Sequence, residues 1–243
     1  MPGGRSRLRT ALSGSILALA CHGGMAHAQA YQCAIPQGRI SVPEIAPDGP
    51  RREMPVTGYT LALSWSPEFC RQREDNPRNA RQCSGRAGSF GLIVHGLWPD
   101  GRGSSWPQWC PTTQEPSPQA LRGALCMSPD AALIARQWAK HGSCMTRDPD
   151  VYLRVTDILW RSLRIPDYDR LSRREDLTAG DIRSAFADAN RYWEAEMVGL
   201  VVNERGWLRE LRLCYGLDFM PTACDRRTLG PRDDTRVRIW RGL

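Results

Sequence analysis

Residues 90–100 read FGLIVHGLWPD. The run Phe90 to Val94 is apolar and rich in β-formers, so it reads as a buried strand. His95 then leaves the end of that strand, Gly96 lets the backbone turn, and Trp98 and Pro99 stiffen the segment beyond it. A strand end is a rigid platform for a side chain that must be held accurately. A second apolar run precedes it, YTLALSW at 59–65, and Pro67 closes it. Between the two, residues 71–89 are polar and arginine-rich, with Asn76-Pro77, Gly85 and Gly88, and read as a loop.

Outward from these strands the chain separates its elements. Residues 31–58 hold Pro36, Pro43, Pro47, Pro50 and Pro55, an extended N-terminal arm tied down by Cys33. Residues 99–129 are dense in turn formers and read as a long surface loop. Such loops carry function or need stapling, and Cys110 and Cys126 lie in this one. A helix comes next, with Ser128 as its cap, Pro129 in its first turn and Gly142 at its end. A second helix is expected over 150–163 and a third over 178–190, where Thr178 and Asp181 stand in capping-box positions. EMVGLVV (196–202) and LRELRLCYG (208–216) form a hairpin turning at 203–206, and RVRIW (236–240) is a last strand. Strands and helices are segregated rather than alternating, so the class is α+β.

The 243 residues are 24% charged and 41% hydrophobic. This is ordinary globular usage and excludes a collagen, a coiled coil and a disordered tail. The N-terminus carries Arg5, Arg7 and Arg9 with no acid. The apolar stretch Ala11 to Ala20 is broken by Ser13, Gly14 and Ser15, and it is too short to span a bilayer. Ala26-His27-Ala28 completes the pattern of a cleaved export signal. The expected organisation is a signal at 1–28 and one catalytic domain at 29–243, secreted or periplasmic, free of the membrane after cleavage. The other reading is a membrane anchor or a lipid on Cys21, for which Ala18-Leu19-Ala20 is a poor box. Removing the segment lowers the net charge from +7 to +4, because three arginines leave with it. Eight cysteines remain, an even number that suggests four disulfides in an exported chain, with 105 pairings open.

Only His95 and His141 survive that cleavage. The second lies in RQWAKHGSC (136–144), beside Lys140, the only lysine in the chain. On a helix, Gln137 neighbours both Lys140 and His141, and Arg136 neighbours Lys140. Two cations at i and i+4 repel, and an anion between them would reverse that. Two histidines, a lysine and an extra cation suit cleavage of RNA by attack of the ribose 2′-hydroxyl on phosphorus. One imidazole takes the hydroxyl proton and another protonates the leaving oxygen, while cations hold the charge growing on phosphate. The plainer readings are a core role for Trp98 and Trp138, a solvated Lys140 and a disulfide at Cys144. Two histidines fall short of a zinc site. The sequence holds no P-loop, no G-x-S-x-G and no H-E-x-x-H, so neither metal nor cofactor is expected.

HGLWPD (95–100) and WAKHGSC (138–144) together resemble the two active-site motifs of the ribonuclease T2 family. The similarity extends to LSWSPEFC (63–70), WPQWC (106–110) and LRLCYGLDFMPTAC (211–224). The resemblance implies an α+β fold, a central antiparallel sheet flanked by helices and braced by disulfides. It implies a monomeric endoribonuclease of low base specificity that cuts single-stranded RNA through a 2′,3′-cyclic phosphate to a 3′-phosphate. By position, His141 would be the general base, His95 the general acid and Lys140 the transition-state cation. Trp98 would stack on a base, Asp100 would hydrogen-bond it, and Trp106 would help to form the same pocket. Arg136 and Gln137 stand where the family shows His-Glu. Arg136 can still contact phosphate and Gln137 can donate to it, without the carboxylate charge. Leu133 stands where an aromatic is frequent at the second base site. The implied disulfides are Cys110–Cys144, Cys214–Cys224, Cys70–Cys83 and Cys33–Cys126. The rivals are an exported RNA-binding or host-interaction protein on the same scaffold and, more weakly, a metal phosphodiesterase.

Overall fold

The apolar run of the first strand, β1 (Gly58–Trp65), lies at the centre of a sheet because almost all of it is buried. The computed structural model describes Met1, residues 32–42 and residues 44–242; the expected export signal lies outside the described residues. After β1 come α1 (Ser66–Cys70), α2 (Ala80–Cys83), β2 (Leu92–Asp100), α3 (Pro118–Ala124), α4 (Ala131–Lys140), α5 (Pro149–Ser162), α6 (Tyr168–Leu171), α7 (Ala179–Ala189), β3 (Val198–Val202), β4 (Leu208–Tyr215) and α8 (Arg226–Leu229). The strands form one antiparallel sheet in the order β2-β1-β4-β3. Strands and helices are segregated, and the class is α+β.

Strand register gives the sheet two different faces. Leu61 pairs with Leu97 and Leu213, and Leu63 with Val94 and Leu211. Because side chains alternate across a strand, these residues share the face packed under Ile134, Trp138, Tyr152, Ile182 and Phe186. The opposite face takes the residues between them. Thr60 pairs with Trp98, and Ser64 with Glu210. That face is the polar one.

The second strand is longer than its apolar run. It continues through His95 to Asp100 instead of ending at Val94. Gly96, read from sequence as a turn, is needed for close approach: a Cβ there would stand 2.3 Å from Gln137 Oε1. Pro99 fits because β2 is an edge strand. Ala62 pairs with Gly96 and Leu63 with Val94, so His95 is the extra residue of a β-bulge. A bulge leaves one residue unpaired and re-aims its side chain.

The open edge of β2 is closed by helices and loops. The Tyr152 hydroxyl donates to Leu97 O at 3.2 Å and accepts from Leu97 N at 3.1 Å. Val94 N donates to Met127 O at 2.8 Å. Residues 99–129 are therefore not a purely surface loop. They include α3, and Trp109, Leu121, Leu125 and Met127 are buried. Residues 71–89 likewise hold a 3-10 turn at Pro77–Asn79 and α2.

Helix ends follow local chemistry with one shift. Asp130, not Ser128, caps α4 by accepting from Ala132 N at 2.8 Å. Ser128 is buried, and two residues separate it from the first turn. Thr178 and Asp181 form the capping box of α7. The hairpin turns at 203–206, where Gly206 has φ +75°. The tail 236–240 makes only isolated bridges, Thr178 to Arg236 and Trp207 to Arg238. The outer edge of β3 is closed by the backbone at Gly230, where a Cβ would lie 2.1 Å from Leu200 O. Disulfides join Cys33 to Cys126, Cys70 to Cys83, Cys110 to Cys144 and Cys214 to Cys224.

Tyr152 is 1% exposed, so Tyr152→Phe leaves two buried backbone groups of β2 without partners. We expect a loss of about 2 kcal/mol, or about 4–8 °C in melting temperature for a chain of this size. Thermal and urea unfolding check this; an unchanged midpoint would show that the hydroxyl does not hold the edge.

Candidate active site

Two elements converge on one cavity of about 430 Å³. The edge strand brings His95, Trp98 and Asp100, and the C-terminal turn of α4 brings Arg136, Gln137, Lys140 and His141. Just past the helix, Gly142 sits against Trp138 and Tyr152, where a Cβ would meet ring atoms at 2.6 and 2.7 Å. Trp98 contacts both imidazoles. Its ring centroid is 5.1 Å from that of His95 and 5.5 Å from that of His141. Trp98 Nε1–H donates to Gln137 Oε1 at 2.6 Å, which locks the strand to the helix. Trp138, by contrast, is a core residue, 1% exposed.

The two histidines have different surroundings. His95 Nδ1 is 2.7 Å from Glu210 Oε1. Glu210 is 8% exposed and also accepts from Arg212 Nε at 3.1 Å and Ser64 Oγ at 3.4 Å. Burial opposes ionisation of Glu210, but the hydrogen bond and charge of His95, with Arg212, outweigh it and hold the carboxyl below its usual value. His141 is 7% exposed and its Nδ1 is buried without a partner. Burial first, then the charges of Lys140, His95 and Arg136, push its pKa down to about 3, against the pull of Asp48. His141 is thus neutral at neutral pH, and Nδ1–Glu210 pairing leaves the Nε2 edge of His95 for the cavity.

Asp100 accepts from Thr60 Oγ1 at 2.9 Å. Burial raises its pKa to about 6; the Asp225 charge adds to this, while the Thr60 bond and Arg212 oppose it. Trp106 lines the same cavity, with Arg52 over its ring at 4.6 Å and its Nε1–H on Gln108 Oε1 at 3.1 Å. The cations Arg136 and Lys140 do have an anion between them: Asp48, from the N-terminal arm, accepts from both.

All eight residues singled out in the two motifs and at Trp106 line this cavity. Three partners were not legible in the sequence. Glu210 gave the weakest signal that could have been read, a carboxylate between Leu208 and Leu211 in a buried strand. Arg212 needs the strand register, and Asp48 lies 92 residues from Lys140 with no local sign of the contact. His95, Trp98 and Arg212 also line a second cleft of about 710 Å³, whose rim carries Arg71, Arg73, Arg205 and Arg209. Among the described residues no group of three or more His, Cys, Asp or Glu could hold a metal ion, and no helix is long and apolar enough to cross a membrane.

Comparison with known proteins gives a consistent result. A profile described as the Ribonuclease T2 family matches residues 57–168. A "Probable ribonuclease" of Haemophilus influenzae is 36% identical over 137 residues, 52% of this chain and 50% of that protein. Ribonuclease I of Escherichia coli is 31% identical over 131 residues, 39% of this chain and 49% of that protein. The chain spans about half the length of these relatives. Among solved structures, trichomaglin, described as an S-like ribonuclease, superposes with a TM-score of 0.58 at 22% identity, covering 70% of this chain and 92% of that one. The fold is therefore that of this structural group.

Asp100 generates a pH prediction. Its folded pKa of about 6 lies above the ordinary value of 3.8, so the folded state binds the proton more tightly. The ionised carboxylate thus weakens the fold above pH 6, and the penalty disappears below about pH 4. Asp100→Asn removes it. We expect the unfolding free energy of the variant, relative to wild type, to rise by about 2 kcal/mol between pH 4 and pH 8. Urea unfolding at pH 4, 6 and 8 reads this, and a pH-independent difference would refute the raised pKa.

Proposed function

We propose, from the match of residues 57–168 to the ribonuclease T2 family profile, that the protein is an endoribonuclease of that family acting on single-stranded RNA. The observation that carries the proposal is the placement of two imidazoles against one tryptophan ring, in a cavity that also holds the chain's only lysine. The proposed reaction is attack of a ribose 2′-hydroxyl on the adjacent phosphorus to give a 2′,3′-cyclic phosphate, which water then opens to a 3′-phosphate.

In this reading His141 takes the hydroxyl proton. It is neutral at working pH, as a base must be. A phosphodiester beside Lys140 and Arg136 offsets the charges that depress its proton affinity and brings it closer to a useful base strength. His95, oriented by Glu210 through Nδ1, delivers a proton from Nε2 to the leaving 5′-oxygen. Lys140 and Arg136 face the charge that grows on the non-bridging oxygens. Gln137 uses Oε1 on Trp98, so its amide N–H groups remain for a phosphate oxygen. Trp98 and Trp106 offer ring faces to a base, and Asp100 offers it a hydrogen bond, carried as a donor when the carboxyl is protonated. Stacking tolerates every base, which supports low specificity. The four disulfides support residence in an oxidising compartment, secreted or periplasmic.

A non-cutting RNA-binding protein is the second reading. It is favoured by the burial of His141 and by the occupation of Lys140 and Arg136 by Asp48. Incubation of a defined single-stranded RNA with the protein separates the two. The enzyme reading expects fragments ending in cyclic or 3′-phosphate, unaffected by chelator, and no cleavage of the same DNA sequence. His95→Ala and His141→Ala should each lower kcat by about 10²–10⁴-fold. Near wild-type turnover by either variant would defeat the assignment.

The arginine-rimmed cleft beyond His95 supports an extended substrate. Arg205 and Arg209 line it, and among the described residues their guanidinium groups make no hydrogen bond or ion pair. Each phosphate contact on a single strand contributes about 0.7 to the slope of log affinity against log salt. Arg205→Ser with Arg209→Ser should lower that slope by about 1.4 for an oligonucleotide. Cleavage of a dinucleoside monophosphate should not change. Fluorescence anisotropy across a salt series and a dinucleotide assay read both, and an equal effect on the dinucleotide would contradict the extended path.

A further inference from the structure

The anion between Arg136 and Lys140 comes from the protein itself. Lys140 Nζ donates to Asp48 Oδ1 at 3.0 Å and to Oδ2 at 3.2 Å, Arg136 pairs with Oδ2, and Trp109 Nε1–H reaches Oδ1 at 3.2 Å. Two donors from α4 and one from the segment between β2 and α3 therefore converge on one carboxylate. Asp48 lines the cavity that holds His95 and His141. Its side chain remains 41% exposed. Rather than an interior ion pair, it is a charged plug at the mouth of the site.

The backbone that carries Asp48 is pinned at two places and little held between them. Upstream, Arg122 donates to the carbonyls of Pro36 and Gly38. Downstream, Gln108 Nε2 donates to Pro50 O at 2.7 Å, and Arg52 and Gln108 exchange backbone hydrogen bonds at 2.9 and 3.0 Å. Among the described residues from 39 to 49, no backbone–backbone hydrogen bond ties the arm to the rest of the fold. Ile40 and Val42 pack against the core, so the movable part is short. A shift of residues 44–49 would break the side-chain contacts of Asp48 and leave both anchors in place.

We propose that Asp48 is a built-in competitor for the substrate phosphate: its carboxylate fills the cradle of Arg136, Lys140 and Trp109 Nε1–H, and the arm must shift for an external phosphate to be seated. This rests on the reading that the cavity takes an RNA phosphodiester. A carboxylate and a phosphate oxygen pair present the same acceptors to a guanidinium or ammonium donor, so one set of donors serves either. The contact also neutralises two cations one helical turn apart, which would otherwise repel. A tethered group competes at an effective concentration of the order of millimolar. The pairs it makes are partly exposed, so the competition is modest and reversible. The resting site is closed to weak anions and opened by a substrate that also gains base stacking.

The test uses the full chain and two probes. Calorimetric titration with inorganic phosphate at low salt compares wild type, Asp48→Asn and Asp48→Ala. Steady-state cleavage of a short RNA compares the same three proteins. We expect phosphate to bind both variants about three- to tenfold more tightly than wild type. Lys140→Ala added to Asp48→Asn should abolish that gain, and the KM of both single variants for RNA should fall by a similar factor. Phosphate binding no tighter than in wild type, or a raised KM, would overturn the proposal and make Asp48 a strut that orients Lys140. Calorimetry needs no turnover. Tighter phosphate binding without RNA cleavage by any of the three would therefore leave the plug standing and sink the nuclease reading, while cleavage by all three with unchanged phosphate affinity would do the reverse.

Discussion

One extra residue in the edge strand governs the site. Ala62 pairs with Gly96 and Leu63 with Val94, so His95 has no partner on β1. Without that bulge, strict alternation through Val94, His95 and Gly96 would shift every later residue of β2 to the opposite face. Leu97 would then leave the core, where it is fully buried, and Trp98 would leave the polar face. The bulge lets the strand bury Leu92, Val94 and Leu97 while it displays His95, Trp98 and Asp100. The cost is an irregular edge, which the Tyr152 hydroxyl and Met127 carbonyl satisfy. Stability and the display of site residues are thus solved by the same few contacts.

Charge in the cavity is arranged in compensated groups. Glu210, nearly buried, is held ionised by His95 and Arg212, and it fixes which edge of His95 looks outward. Asp48 plays the matching part for Arg136 and Lys140. His141 has no such partner, and burial beside cations leaves it neutral. Two chemically identical rings, each about 5 Å from one tryptophan, therefore sit in unlike environments. Trp98 joins the halves physically, since its N–H bonds the helix while its ring contacts both imidazoles.

Much of the fold was open to inspection in the residues. YTLALSW, apolar and rich in β-formers, reads as a strand, and the Thr178–Asp181 pair starts a helix. The hairpin at 203–206 followed from its turn residues. The errors came where tertiary contact overrode a local signal. Gly96 and Pro99 look like a turn, yet one makes room for Gln137 and the other tolerates a sheet edge. Ser128 looks like a cap, yet Asp130 is two residues nearer the first turn. RVRIW looks like a strand, yet it makes only isolated bridges to Thr178 and Trp207.

By itself the sequence determined the α+β class, the segments that supply the four strands of the sheet (with a fifth that forms only isolated bridges), the two histidine segments and the solitary lysine beside one of them. These depend on local composition and spacing, which residues a few positions apart enforce through periodicity and capping. Only the tertiary structure decided what those histidines touch. Glu210 reaches His95 through a pairing 115 residues apart, and Asp48 reaches Lys140 across 92. Contacts of that range are set by strand register and by how the arm is pinned. Neither leaves a mark in the neighbouring residues, because hydrogen bonding across a sheet depends on alignment between strands and not on the order within one.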